Sequence, residues 1–376
     1  MVTLYKLLKK STLAATDLQR DDGSMPPGHN GLYEHTDTPV PNTARWLIAY
    51  TKSHQEHNND RIKSAATNAK NYLYAEESRP YSETFYCRDA NNLDKCNGLM
   101  GQALCIYALY RAYRALRDSE ACKLAKEVFL KHPFDFELGV WKRVDIDGSV
   151  LAFDPTFNHQ LWFAAAGGFL SDSTQIDNQI KRFLDELPNI IDVYSDGLIK
   201  HPLRISGSLK YRLKKLADPH HAYVEKNTIL APYHHVTLRT KAIGYHSVNL
   251  YGLALLKSQY PDHPVWENDI IKLVFEYIYR KDYLSKLYGN PRGFINNATG
   301  FQNAYAIHEF SDSKDDMITW ASEQIRLNFD NESYFMNKSA NDSFSQASAI
   351  YTASVLPNFE IDDQDTNIRK LSSCGP

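Results

Sequence analysis

Apolar positions recur at three- and four-residue steps along most of the chain, the period of a helix that buries one side. In NGLMGQALCIYALYRAYRALRD (97–118), Leu99, Ala103, Ile106, Leu109, Tyr110 and Tyr113 fall near one face. SEACKLAKEVFLKHP follows with more charge and stops at Pro133, which lacks the amide hydrogen a helix interior needs. NQIKRFLDELPNIIDVY and WENDIIKLVFEYIYRKDYLSKLY are amphipathic in the same way. Polar stretches rich in Gly, Asp and Pro separate these segments. One of them, WKRVDIDGSVLAF around Asp147-Gly148, predicts a short β-hairpin.

These elements recur in a fixed order. A charged amphipathic helix leads to a polar loop or hairpin, which leads to a more apolar helix rich in Ala and Gly. The apolar helices are predicted to begin near Asn42, Asn97, Asn158, Asn249 and Asn303, with a last one near Ser343. Most intervals are about 55–60 residues, the length of two helices and two connections. The predicted fold is therefore all-α: an (α/α)6 toroid, or (α/α)7 if boundaries shift, with short β-hairpins in the loops at one mouth. Residues 1–20 form the first outer helix, 357–376 a C-terminal tail, and 1–376 a single domain. Inner-helix N-termini converge at the mouth. An Asn there either caps free amides or lines a cleft whose helix dipoles favour an anion.

Composition narrows the partners. The chain has 376 residues, 43% hydrophobic, with net charge −3 and no block of Lys or Arg, which argues against a nucleic-acid partner. No run approaches the roughly 18 apolar residues of a membrane span. Lys6, Lys9 and Lys10 interrupt the N-terminus, which lacks the order of a secretion signal. Five Cys without a CxxC pair read as reduced thiols. Together these suggest the cytoplasm, or an exported protein if a signal was removed. The 24 Tyr, 17 Phe and 5 Trp suit carbohydrate grooves and helix packing alike. His220-His221 and His234-His235 would alternate faces in a strand and lack helical metal-site spacing, so no metal is expected. SLKYR and RLKKLADPHH read as a solvated basic surface.

The candidate chemistry gathers at the predicted mouth. FDPTFNHQLWFAAAGG (153–168) sets Asn158 and His159 at the start of the most apolar run. Tyr245 and His246, and then Tyr305, offer a phenol or imidazole at later junctions. His29, Asn42, Arg45, Trp46, Asn97, Gln102, Trp162, Asn249, Arg292 and Glu309 are the expected substrate-binding set, although Trp46 and Trp162 suit the core better than a sugar platform. Amide, imidazole, phenol and guanidinium together fit β-elimination on a uronate-containing polysaccharide. Asn, His or Arg would neutralise the carboxylate and stabilise the developing charge, and Tyr or His would move the proton. No cofactor is required. Glycoside hydrolysis, which needs two carboxylates, would fall to Asp154 and Glu309. A non-catalytic exopolysaccharide-binding factor is the third possibility.

DGSMPPGHNG, NTARWL, NGLMGQAL, FDPTFNHQLWFAAAG, YHSVNLYGLALLK and YGNPRGF with NAYAIHEF, spanning residues 20–356, resemble the VpsJ or agl-cluster exopolysaccharide family. More distantly, they resemble toroidal lyases of alginate and glucuronan. That resemblance implies an (α/α) toroid acting on an acidic polysaccharide. It makes Asn158, His159 and His246 carboxylate neutralisers or base, and Tyr305 the proton-shuttling phenol, a role for which Tyr245 and Tyr251 compete.

Overall fold

The computed structural model describes residues 2–207, 234–338 and 340–361. His220, His221 and the SLKYR–RLKKLADPHH segment lie outside the described residues, as do the side chains of His234 and His235.

Helices alternate between two layers. The outer layer comprises α1 (Leu4–Ala15), α3 (Asp60–Tyr74), α5 (Ser119–Lys131), α7 (Thr174–Ile190), the short pair α9 (Asp269–Glu276) and α10 (Lys281–Leu287), and α12 (Lys314–Asn328). The inner layer comprises α2 (Pro39–His57), α4 (Gly98–Leu116), α6 (Phe157–Gly168), α8 (His234–Gln259) and α11 (Thr299–Phe310). Its sixth member is α13 (Ser343–Ala347), which runs on as a 3-10 turn over Ser348–Val355. Inner helices pack α2 on α4, α4 on α6, α6 on α8 and α8 on α11. The Ser348–Val355 turn then touches both α11 and α2, so the ring closes. The periodicity anticipated this arrangement of six pairs with α1 as the first outer helix.

Burial explains the two characters of helix. Outer helices bury one stripe: α7 hides Ile176, Ile180, Phe183, Leu184 and Leu187 and leaves its charges in solvent. Inner helices are enclosed by neighbours on both sides. In α6 every residue except His159 is buried, as expected of a helix that is apolar all round. Among the described residues no helix is long and apolar enough to cross a membrane.

The predicted hairpin forms. β2 (Val140–Val144) pairs antiparallel with β3 (Val150–Phe153), and β1 (Phe134–Asp135) adds to the other edge of β2. Gly148 takes φ +85 at the turn. Trp141 on β2 lies against Phe129, Phe134, Phe163 and Phe183, with ring centroids 4.5–5.8 Å away. Gln160 of α6 locks the sheet to the helix: its Oε1 accepts from Trp141 N at 2.9 Å. Its Nε2 donates to Trp141 O at 2.8 Å and to Asp154 O at 3.1 Å. The hairpin is thereby a rigid arm that ends at Asp154.

The asparagines are not the caps that the spacing suggested. Thr3, Thr38, Asn59, Asp118, Asn268, Ser313 and Asp342 cap helices with their side chains. Asn97 sits at the α4 N-cap position in the left-handed conformation, and its side chain caps nothing. Asn42, Asn158, Asn249 and Asn303 lie inside their helices, at most 3% exposed.

Candidate functional site

A cavity of about 370 Å³ opens where the inner helices meet the loops. It lies toward the small end of the roughly 300–1,000 Å³ range of ligand sites. Each inner helix presents one face at helical spacing. Pro41 and Arg45 come from α2, and Asn97, Met100, Gly101 and Leu104 from the start of α4. Asn158, His159 and Trp162 come from α6, and Lys241, Tyr245 and Val248 from α8. The loop over 30–37 adds Tyr33, His35 and Asp37, and Arg88 and His201 complete the polar wall.

His159 is the most directed group. Its Nδ1 lies 2.8 Å from Asp154 Oδ2, which leaves Nε2 without a partner among the described residues. Asp154 is 2% exposed. It accepts from Leu99 N at 3.1 Å and, through Oδ1, from Thr156 N at 3.1 Å. Burial opposes its charge, yet His159, Arg143 and the Leu99 amide outweigh burial and hold the carboxyl below the usual range. Asp154 thus caps the N-terminus of α4 and fixes the imidazole of α6 in one act. The cap requires Gly98, whose φ is +58. A Cβ there would meet Asp154 Oδ2 at 2.5 Å and His159 Nδ1 at 3.0 Å.

A second polar group lines the same cavity from α8, the inner helix next to α6, and from the loop over 30–37. Tyr33 and Tyr245 join through their hydroxyls at 3.1 Å, and His201 lies 5.0 Å from the Tyr245 ring. Burial resists ionisation of Tyr33, but Lys241, Tyr245 and Arg292 outweigh it and lower its pKa. Burial and the neighbouring Tyr33 push Tyr245 well up. Burial, then Lys241 and His159, keep His201 neutral. Asp37 is the one carboxylate among the described lining residues. Burial raises it to about 7 despite Arg45, and its Oδ1 lacks a partner. Among the described residues no three His, Cys, Asp or Glu side chains are grouped to hold a metal.

Of the residues singled out by sequence, Asn158, His159, Tyr245, Arg45, Asn97 and Trp162 line the cavity. Arg292 sits behind Tyr33, its guanidinium 5.9 Å from that ring. His29 braces the loop, donating its amide to Asp342 Oδ2 at 2.8 Å. The others face away. His246 accepts from Ile199 N and donates to Val274 O, and burial lowers it to about 4. Gln102 clamps Phe85 and Cys96 backbone, and Asn42 donates to Pro26 O. Trp46 packs on Tyr50 and Phe335 in the core, and Asn249 is buried. Tyr305 packs on Tyr251 farther along α11, with Glu309 beside it. Tyr251 itself is buried and stacks on Trp162.

Lys241, His201, Asp37, His35 and Arg88 were not found by sequence. Lys241 carried a signal, since it precedes Tyr245 by one helical turn. His201 and Asp37 did not. The His201 carbonyl accepts from Phe157 N at 2.9 Å, and Asp37 reaches the cavity through an isolated bridge to Arg88.

No family model matches the chain. It is 40% identical over 368 residues to archaeal glycosylation protein Q of Haloferax volcanii, covering 96% of this chain and 99% of that protein. Among solved structures it resembles a cellobiose 2-epimerase from Spirochaeta thermophila, with TM-score 0.60, 15% identity and 90% of each chain covered. A D-mannose isomerase aligns with TM-score 0.62 at 14% identity, over 93% of this chain and 96% of that one. An inactive α-1,6-mannanase variant of Salegentibacter, in complex with mannotriose, aligns with TM-score 0.54 at 10% identity, over 93% and 98%. These identities speak for the fold alone. The comparisons overturn the resemblance to the VpsJ family and to alginate and glucuronan lyases. The relative is an archaeal glycosylation protein, and the similar structures are an epimerase, an isomerase and mannanases.

Proposed function

The chain belongs to the family of archaeal glycosylation protein Q, and from that premise we propose that it is a sugar-processing enzyme of glycosylation that moves a proton within its substrate. The reaction class is isomerisation or epimerisation of a sugar that presents a carbonyl. The observation that carries this reading is the His159–Asp154 dyad, with its free Nε2 on a cavity whose described lining holds one carboxylate.

In this reading Asp154 fixes the tautomer and His159 Nε2 acts as base. It removes the hydrogen on the carbon next to the carbonyl. The C–H electrons form a carbon–carbon double bond, and the carbonyl oxygen takes the negative charge. Asn158, 3% exposed beside His159, offers an amide dipole to that oxygen. Return of the proton from His159 to the former carbonyl carbon, with the proton of the adjacent hydroxyl passing to the former carbonyl oxygen, isomerises the sugar. Delivery of a proton by Tyr245, on the neighbouring helix α8, to the other face of the carbon that lost its hydrogen gives the epimer. His159 and Tyr245 then regain their starting states by proton exchange with solvent.

Glycoside hydrolysis is the second reading, and Asp37 favours it. A carboxyl still protonated near pH 7 suits a general acid. The pair first considered, Asp154 and Glu309, is not brought together: Asp154 is committed to His159, and Glu309 lies at the far end of α11.

Incubation of wild type and His159→Gln with reducing mono- and disaccharides in D₂O, followed by proton NMR, tests the choice. The expected outcome is solvent exchange of the hydrogen next to the carbonyl and a new set of anomeric signals, both lost in the variant. Release of new reducing ends without exchange would replace this reading by hydrolysis.

A further inference from the structure

The polar wall formed by α8 and the loop over 30–37 carries more positive charge than the described protein around it neutralises. Lys241 Nζ lies 5.7 Å from the rings of both Tyr33 and Tyr245, and the Arg292 guanidinium stands 5.9 Å from the Tyr33 ring. Among the described residues neither cation has a carboxylate within ion-pair distance, and Arg292 Nε is buried without a partner.. By contrast, Arg88 and Arg143 share Asp94 at 2.9 and 2.7 Å. Two unmatched cations converging on one wall of a low-dielectric cavity raise its potential, and an entering anion relieves that repulsion. The Tyr33 and Tyr245 hydroxyls lie beside these cations, and because they share one hydrogen bond, one hydroxyl proton of the pair stays free to donate.

We propose that this wall is an anion subsite in which Lys241, backed by Arg292 and the Tyr33–Tyr245 hydroxyls, holds the acidic group of a charged sugar. A carboxylate and a phosphate monoester share the required chemistry. The lowered Tyr33 and the neutral His201 respond to the same positive field. The acidic group then lies against α8, the inner helix beside α6, and the sugar ring reaches from it to His159 within the same cavity. This inference rests on the sugar-binding part of the function proposed above and names the class of sugar.

Calorimetric titration of wild type with glucose, glucuronate and glucose 6-phosphate tests it, with the same series on Lys241→Met and Lys241→Arg. At low salt one or both acidic sugars bind at least about tenfold more tightly than glucose. Which of them does so identifies the acidic group. Lys241→Met brings the ratio near one, and Lys241→Arg keeps it. Should Lys241→Met unfold, the wild-type preference measured at low and at high salt decides instead, since an ionic contact weakens with salt. Equal affinity for neutral and acidic sugars, or an acidic preference unchanged in Lys241→Met, overturns the subsite. The two proposals fail separately. Tight binding of an acidic sugar without proton exchange removes the isomerase reading and leaves the subsite, whereas exchange on glucose without acidic preference does the reverse.

Discussion

At the scale of single residues, Asp37 in the cavity lining and Asp154 behind His159 differ in charge because they differ in partners. Asp154 has two amide donors and an imidazole, and so stays ionised while almost wholly buried. Replacing it with Asn keeps the shape but no longer selects the His159 tautomer with a free Nε2. Proton exchange in Asp154→Asn should fall by about 10²–10⁴-fold, the usual worth of a positioned base, while circular dichroism stays native. Unchanged exchange would remove the dyad from the mechanism. Asp37 has no such donors. In the unfolded chain it ionises near 3.8, whereas in the cavity it keeps its proton to about 7. The folded state therefore binds more protons in that window. Stability from this group is complete below the unfolded value and is lost as pH climbs to about 7. Relative to wild type, Asp37→Asn should melt progressively higher from pH 4 to 7, with a constant gap above. A gap that does not change with pH would show that Asp37 ionises normally.

Secondary-structure elements decide which candidate residues reach the cavity, through helical phase. A step of one residue turns a side chain by 100°, which separates Tyr245 from His246, Arg45 from Trp46 and Gly101 from Gln102. The sequence shows that polar groups cluster at inner-helix starts, and the ring of six pairs is readable from the same recurrence. The phase is not readable, because an inner helix is buried all round and its periodicity points nowhere. In α6 the lone half-exposed His159 marks the cavity face, and only the fold reveals that. The loop residues Asp37 and His201 follow no period at all. The connection between elements is also testable at Gly98, where α4 meets the end of the hairpin. Gly98→Ala should cost about 1–2 kcal/mol for the left-handed backbone and should also displace Asp154 and abolish exchange. Gly148→Ala, at φ +85 in the hairpin turn, should lose stability and keep the dyad. Urea melts alongside exchange assays separate the two. Equal activity in both variants would mean that the α4 start does not position the dyad.

Across the whole molecule, the ring is held shut by contacts between its two ends, because the last turn at Ser348–Val355 packs on both inner helices α2 and α11. The chain just beyond that turn is tied to α1. Leu4 N donates to Phe359 O at 3.0 Å and Ile361 N to Val2 O at 3.0 Å. Tyr5 adds a bond from its amide to Asn358 Oδ1 and one from its hydroxyl to Leu356 O, each at 3.1 Å. Phe359 is 5% exposed. Each hydrogen bond contributes about 0.5–1.5 kcal/mol, and burial of the Phe ring about 1.5–3 kcal/mol. A chain ended after Leu356 keeps every cavity residue and the Tyr5 hydroxyl bond but loses the other three bonds and the ring. The expected loss is on the order of 5 kcal/mol, seen as a lower urea midpoint. Because Gln346, Ala349 and Thr352 of the closing segment line the cavity, sugar affinity should weaken with it. A truncated protein with wild-type midpoint and affinity would show that the ring closes through inner-helix packing alone.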